Sequence, residues 1–452
     1  MAKLIKKFFT YPVFLVLFLS FIGVIGFSSI VKYHYDGGKK YQFLQKLVMI
    51  VADVPYKITI MFKNRTLNIN ELTKEIKHKD KDTFKQFIEN SRNALLVLPR
   101  YDHNLSRSVV DIIDLNDFEV IHTYKHDVEK MNSTVQNIDR FPRINIDHSL
   151  RRFQYYHPIV LDDGSLISFS GHQPIFKIDL CSNLKWINDD ENFHHGQNLD
   201  HNKDIWVAAR IDPQSRYVTK YDYDEYLDDA IIKIDTDGNI LFRKSVTEIL
   251  IENEVVPQTF VFNNYISNQP DPIHLNDIEP ALQDTEYWKK GDVFLSIRDQ
   301  NAIIHYRPGT NKVINVITGP FAKQHDVDII SDKEISIFNN NQFIKDNKYS
   351  EVLIYNFETK LFKKLFNDQL QKNNFKTVTN GLSEIFRDGA LMVEETIHGR
   401  IILFNNRGNK EWEYVNKDKN GDIGALFWSR VVEDEGFINK FKSLIENKKC
   451  IN

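Results

Sequence analysis

From Asn93 onward the chain repeats itself, and the repeat decides what it can fold into. Apolar clusters with period-two spacing centre near Val109–Ile113, Gly164–Ser168, Asp204–Val207, Asp292–Leu295, Glu334–Ile337 and Gly389–Val393. Most are followed by a second apolar run and a tight turn, as in Ala230–Phe242, Ala302–Tyr306 and Gly399–Gly408. Asp163-Gly164, Asp237-Gly238 and Asp388-Gly389 supply the turn residues. Units of roughly 40–50 residues with about four strands each cannot bury a face alone, and stack radially. The pattern therefore predicts an all-β, six-bladed β-propeller over residues 93–452. The ambiguous stretch between Leu250 and Pro272 leaves a count of seven open. A β-sandwich does not account for the repeated register.

One residue type recurs within this frame. His195-Gly-Gln-Asn-Leu-Asp and His325-Asp-Val-Asp-Ile-Ile place a histidine the same distance before the following apolar run. His157-Pro-Ile-Val-Leu repeats the pattern one residue shorter, and His274-Leu-Asn-Asp-Ile-Glu-Pro repeats it with an insertion. In a propeller the innermost strand of each blade lines a central channel, so residues at its start meet at one mouth. His157, His195, His274 and His325 are expected there, with Arg298 closing the next strand, Arg210 at the same offset one blade earlier, and Gly381 at the equivalent place in the last blade.

The N-terminus is of another kind. Phe8 to Val31 is uncharged and mostly apolar, long enough to cross a ~30 Å hydrocarbon core as a helix. Lys3, Lys6 and Lys7 precede it, which keeps that end cytoplasmic and the body on the far side. A cleaved signal peptide has a shorter apolar region and a small-x-small end, so a retained single-pass anchor over residues 1–33 is the expectation. Residues 34–92 carry helical spacing in Tyr41–Ala52 and a Lys-rich amphipathic stretch from Glu71 to Asn90, and read as a short helical stalk. The propeller is then expected outside the inner membrane, on the periplasmic side if the chain is bacterial. A net charge of −4, from 58 basic and 62 acidic residues, argues against nucleic acid as a partner. Cys181 and Cys450 could pair but form no framework and no metal-ligand spacing.

Imidazoles titrate near neutrality and serve as nucleophile, base or acid, while arginine matches an oxyanion with a fixed fork of donors. Several histidines with arginines, and no catalytic Ser or Cys nearby, point to transfer of a sulfuryl or phosphoryl group through a covalent histidine. Zinc on three histidines is the rival; an arginine in register disfavours a cation, whereas Asp326 beside His325 and Asp277 near His274 favour one. No Gly-Lys-[Ser/Thr] phosphate loop follows a strand, and neither nucleotide cofactor nor metal is required.

Phe193-His-His-Gly-Gln197, His274-Leu-Asn276, Ser296-Ile-Arg-Asp-Gln-Asn-Ala302 and Gly319-Pro-Phe-Ala-Lys-Gln-His325 together resemble the arylsulfate sulfotransferases, PAPS-independent bacterial enzymes of the six-bladed propeller class. Glu395-Thr-Ile-His-Gly-Arg-Ile-Ile-Leu-Phe404 and Trp412-Glu-Tyr-Val415 resemble that family's last blade, and the likeness runs from about Leu95 to Val432. It implies that His325 becomes sulfated, that Arg298 holds the sulfuryl oxygens, and that His274 and Asn276 assist at the bridging oxygen. His195 or its neighbour His194 matches the first-blade pair, while His157 and Arg210 follow from register alone as substrate contacts. The implied partners are a sulfate-ester donor and a hydroxyl acceptor, exchanged in ping-pong fashion.

The bland readings are equally specific. His172, His201 and His305 are expected in turns or outward strand positions, solvated, and the acidic run Tyr221–Asp229 is expected to be a solvated loop or channel-rim insertion. The competing function is a non-catalytic, membrane-tethered propeller that binds an envelope glycan or protein partner.

Overall fold

The computed structural model describes residues 11–35, 51, 77–89, 92–141, 144, 149–219, 226–255, 271–342, 349–447 and 450. The chain divides into two units, Met1–Glu71 and Leu72–Asn452. In the first, Tyr11–Tyr35 is a 25-residue helix, about 37 Å long at ~1.5 Å per residue. Its stretch Leu15–Tyr33 is long and apolar enough to cross a membrane, and Leu15, Phe18, Phe21 and Val24 are exposed. A helix is what such a sequence needs in lipid, where every backbone group must be satisfied within the segment. Lys3, Lys6 and Lys7 lie outside the described residues.

The second unit is all-β and propeller-like. Arg430–Val432, Leu95–Asp102, Arg107–Asp114 and Glu119–Tyr124 form one four-stranded sheet. Leu275–Pro280 through Lys312–Ile317 form a second, and Val327–Ile329 through Leu361–Leu365 a third. Leu382–Ile385, Leu391–Glu395, Arg400–Phe404 and Lys410–Val415 form a fourth, with Phe84–Gln86 added at its outer edge. The fifth sheet has seven strands, from Tyr156–Val160 to Ile240–Ser245. Hydrogen bonding thus separates five sheets where the sequence led us to expect six. The cause is the 16-residue strand Leu184–Leu199, whose first part ends one antiparallel set and whose second part begins the next, with its register slipping between His194 and Gln197.

Alternation along the strands fills six apolar clusters, each shared by neighbouring groups of strands. Leu95, Val110, Leu166 and Phe176 share one; Ile167, Val207 and Ile232 the next; Trp206, Ile231, Ile278 and Leu295 a third. Phe294 meets Ile335, Phe338 meets Val393, and Met392 with Trp412 meets Leu96, which returns the series to its start. Each fully buried Leu, Ile or Phe contributes roughly 1.5–3 kcal/mol. The ring is closed by non-local pairing: Val97, Leu96 and Leu95 pair with Arg430, Val431 and Val432. Beyond that strand the amphipathic helix Glu435–Asn447 buries Ile438 and Phe441 against the first cluster, and Cys450 forms a disulfide with Cys181, 269 residues away.

The helical segment read over 34–92 lies mostly outside the described residues. Its described end is strand, not helix. Phe84 pairs with Tyr414 and packs its ring 4.2 Å from Phe118, and this tertiary contact overrides the helical spacing. The stretch 256–270, where a seventh repeat stayed open, is also outside the described residues; before it Val246–Glu252 is a short helix.

Candidate active site

The first strands of the sheets converge on a common axis. Asn198 donates to Asp277 Oδ1 at 3.1 Å, Val327 N–H donates to Asp277 Oδ2 at 3.2 Å, Ser383 N–H donates to Asp326 Oδ2 at 3.0 Å, and Arg430 Nη1 donates to Asn198 Oδ1 at 3.1 Å. The histidines enter these strands in the register anticipated. The hairpins close through Leu161, Asp200, Ala281 and Ile330 N–H; His195 and His325 stand five residues before theirs, His157 four and His274 seven.

Three of these positions carry left-handed backbone: φ is 38° at His157, 58° at His195 and 51° at His274. Non-glycine residues there cost of order 1–2 kcal/mol each, and such strain gathers at functional sites. It turns the chain sharply at the strand entry. Gly196 is required at the bulge beside His195, because a Cβ would lie 2.3 Å from Asp277 Oδ1.

His195 is the hub. Its ring centroid is 5.0 Å from His274, 6.4 Å from His325, 4.9 Å from His194 and 6.4 Å from Trp428. His157 stands apart from the other rings across Trp428, 5.5 Å from the indole. Trp428, at φ 68° and fully buried, occupies the strand-entry position of the first sheet. Glu394 holds it there by accepting from Trp428 N–H at 3.1 Å and Ser429 N–H at 2.8 Å.

His325 is fully buried, and its tautomer follows from its partners. Asn340 Nδ2 donates to Thr377 O and Asn380 O, so its Oδ1 accepts from His325 Nδ1 at 2.6 Å. Nε2 is then the acceptor and takes Asn380 N–H at 2.9 Å. Burial, with the Arg298 charge nearby, pushes His325 down to about 3, so the ring is neutral. Burial likewise lowers His157, where Arg430 adds to it, and His195, where the neighbouring histidines add to it.

The remaining expected residues are placed as follows. Arg298 Nη1 donates to Asp299 Oδ1 at 2.7 Å, and its Nε is buried with no hydrogen bond. Arg210 Nη2 and His274 Nδ1 both donate to Asp271 Oδ2, each at 2.7 Å. Against the upward pull of burial, the His274 bond and the Arg210 charge hold Asp271 down to about 2. Arg210 thus shares Asp271 with His274, while its own Nε is buried with no hydrogen bond. Asn276 donates to Gln324 O at 2.9 Å, leaving only its buried Oδ1 as an acceptor.

Two expected bystanders are not solvated. His172 lies 5.2 Å from His194 and 6.4 Å from His195, with its Nδ1 buried and lacking a hydrogen bond. It sits on the turn after the second strand of its group, one place beyond the offset shared by Arg210, Arg298 and Asn340, and that shared offset was the available signal. His305 is fully buried, donates to Asp292 at 2.8 Å and stacks on Phe294 at 4.6 Å. His201 is exposed in a turn. Residues 221–225 of the acidic run lie outside the described residues, but Asp228 and Asp229 are buried, Asp228 accepting from Ser215 N–H and Ser245 Oγ. A solvated loop is corrected to a buried anchor at that end.

Next along the same first strands is a buried acidic group that sequence reasoning missed as a set: Asp277, Glu279, Asp326, Asp328 and Glu384, with Arg430 among them. Burial raises all five carboxyls, with repulsion from neighbouring carboxylates adding to it at every one except Asp328; Asp277 and Glu384 reach about 8 and Asp328 about 6. Among the described residues no three His, Cys, Asp or Glu side chains converge in a metal-ligating geometry. A separate open cleft of about 640 Å³ lies between Arg92, Arg387, Asn406 and Glu433, and contains none of the histidines.

No curated protein matches the chain. Among solved structures it is similar to a protein of unknown function from Bacteroides caccae, at 9% identity and TM-score 0.47 over 76% of this chain and all of that one. It is also similar to a catalytically inactive virginiamycin B lyase from Staphylococcus aureus with quinupristin, at 11% identity and TM-score 0.38 over 73% and 87% of the two chains. The family model described as arylsulfotransferase (ASST) matches residues 157–417, a span that holds all six pocket histidines and both arginines. The chain belongs to the arylsulfotransferase family.

Proposed function

We propose that this protein is a membrane-anchored, extracytoplasmic sulfotransferase that moves a sulfuryl group from an aryl-type sulfate ester to a hydroxyl acceptor through a sulfohistidine at His325. The observation that carries the reading is His195, in ring contact with both His274 and His325 while the Arg298 charge bears on His325. Nε2 of neutral His325 attacks sulfur, the S–O bond to the donor breaks, and Arg298, with a free Nε–H, faces the sulfuryl oxygens. His274, held through Nδ1 by Asp271 and protonated also on Nε2, gives the Nε2 proton to the leaving oxygen. His195 accepts one from the incoming hydroxyl and passes it back to His274, 5.0 Å away between ring centroids, which resets the site. General acid–base assistance of this kind is worth ~10²–10⁴-fold. For attack to occur, His325 Nε2 exchanges its bond from Asn380 N–H for the sulfur atom.

The six shared apolar clusters support six blades, the seven-stranded sheet being two blades joined through Leu184–Leu199. The Tyr11–Tyr35 helix supports a single-pass anchor, and the Cys181–Cys450 disulfide supports an oxidising compartment such as the periplasm.

One observation favours the second reading, a non-catalytic propeller that binds an envelope glycan or protein: both ring nitrogens of His325 are already engaged. Incubation with a chromogenic aryl sulfate separates the two. The enzyme releases phenol and gains the mass of one SO₃, mapped to His325 and lost in His325→Ala. Absence of phenol and adduct across varied donors sinks the enzyme reading.

A further inference from the structure

His194 and His195 are neighbours in sequence, but only His195 meets the rings of His274 and His325. The two share a hydrogen bond, Nδ1 to Nδ1, at 2.7 Å. On its other side His194 Nε2 stands 3.2 Å from Asp229 Oδ1. Both of those atoms are buried and make no other hydrogen bond, and each is the other's nearest polar partner. Asp229 is held in place: its Oδ2 accepts Leu275 N–H at 2.7 Å, and Arg210 Nε lies 3.5 Å from its Oδ1. The surroundings of the two rings differ in sign. His195 is flanked by His172, His194, His274 and His325, all of which oppose a positive charge on it. His194 faces the same class of neighbours, together with Arg210, but it alone of the pair has a carboxylate.

We propose that His194 is a positioning residue and proton relay rather than a substrate contact, completing an Asp229–His194–His195 chain that serves the transfer half-reaction. This rests on the sulfotransferase reading above. Neutral His195 carries its proton on Nδ1, donated to His194 Nδ1, and presents Nε2 to the acceptor hydroxyl. As the acceptor oxygen attacks sulfur, the His325 N–S bond breaks and its electron pair returns to Nε2. The hydroxyl proton passes to His195 Nε2 while the Nδ1 proton passes to His194. The positive charge comes to rest on His194 beside Asp229 rather than on His195.

The test measures the two half-reactions separately in the full chain, with p-nitrophenyl sulfate as donor and phenol as acceptor. His194→Gln and Asp229→Asn should form the His325 adduct and accumulate it. Turnover should fall ~10²-fold or more in kcat with KM within twofold, and the limb of the kcat pH profile assigned to the relay should be lost. Unchanged kcat and pH profile, or a raised KM alone, overturn the relay while leaving the sulfotransferase reading intact. A wild-type chain that forms no adduct removes both. Should the variants fail to fold, the wild type decides through its rate in H₂O/D₂O mixtures: a curved dependence on deuterium fraction indicates two protons in flight, and a linear one overturns the proposal.

Discussion

Arg430 gives the most demanding test of the central axis. Its guanidinium lies among Asp277, Glu279, Asp328 and Glu384 with its Nε buried, and donates to Asn198 Oδ1 at 3.1 Å and to Gln197 O at 2.6 Å. Arg430→Met keeps most of the volume and removes the charge. Two hydrogen bonds from a charged donor are worth ~1.5–3 kcal/mol each, and removing one partner of a buried ionic group costs ~3–5 kcal/mol, so both routes predict a loss of about 3–5 kcal/mol. That loss depends on pH, and its sign is fixed. The carboxyls of Asp277 and Glu384 are raised to about 8 and that of Asp328 to about 6, so the folded chain holds protons that the unfolded chain releases near 4. Their contribution is therefore complete below about pH 4 and is lost progressively as pH rises from there through 6 to 8. Without Arg430 each carboxyl rises further. Urea unfolding of the chain in detergent, at pH 5 and pH 8.5, should show the variant's deficit largest at pH 8.5 and shrinking toward pH 5. A deficit independent of pH, or larger at pH 5, refutes the assignment of these groups as a coupled protonated set.

Other expectations follow from single contacts. Glu395 accepts from Arg400 Nε at 2.6 Å and lies 2.8 Å from His78 Nε2; against the pull of burial these hold its carboxyl at about 2. Glu395→Gln should cost ~3–5 kcal/mol at pH 7, and the deficit should fade between pH 4.5 and 2 in denaturant titrations, because the depressed group contributes only above its folded value. Replacing Cys181 and Cys450 by Ser should cost ~2–4 kcal/mol and lower the thermal midpoint, equally in wild type treated with reductant. Arg298→Met should slow His325 sulfation ~10²–10³-fold with unchanged circular dichroism, measured by single-turnover phenol release. His172→Ala, a bystander by sequence, should alter that rate, whereas His201→Ala should not.

The sheet pattern was legible because it is local. Alternating runs with Asp-Gly turns mark hairpins whose bonds close within a few residues, and Gly164, Gly238 and Gly389 do adopt the positive φ such turns need. The spacing of His195 and His325 was legible for the same reason. What escaped was set by contacts between distant segments. His172 and His305 occupy places that alternation alone marks as outward, yet one turns into the pocket and the other is drawn under Arg307 and Phe294 by Asp292. Trp428 and Arg430 come to the axis only because their strand crosses to pair with Leu95–Val97, and no periodicity in the chain announces that partner. Nor could composition say that Asp229 would face His194 or that one long strand would weld two sets of strands into a single sheet.

That closing strand also sets the order in which the pocket can come into being. His157 to His325 are made in sequence, but Trp428, whose ring lies between those of the first and last histidines, follows His325 by about a hundred residues. Until Arg430–Val432 has emerged and paired, the first sheet lacks the strand that borders the axis and the ring stays open. A partly folded chain can therefore hold every one of those histidines in its own paired sheet and still lack the pocket, which is completed by the last strand to pair.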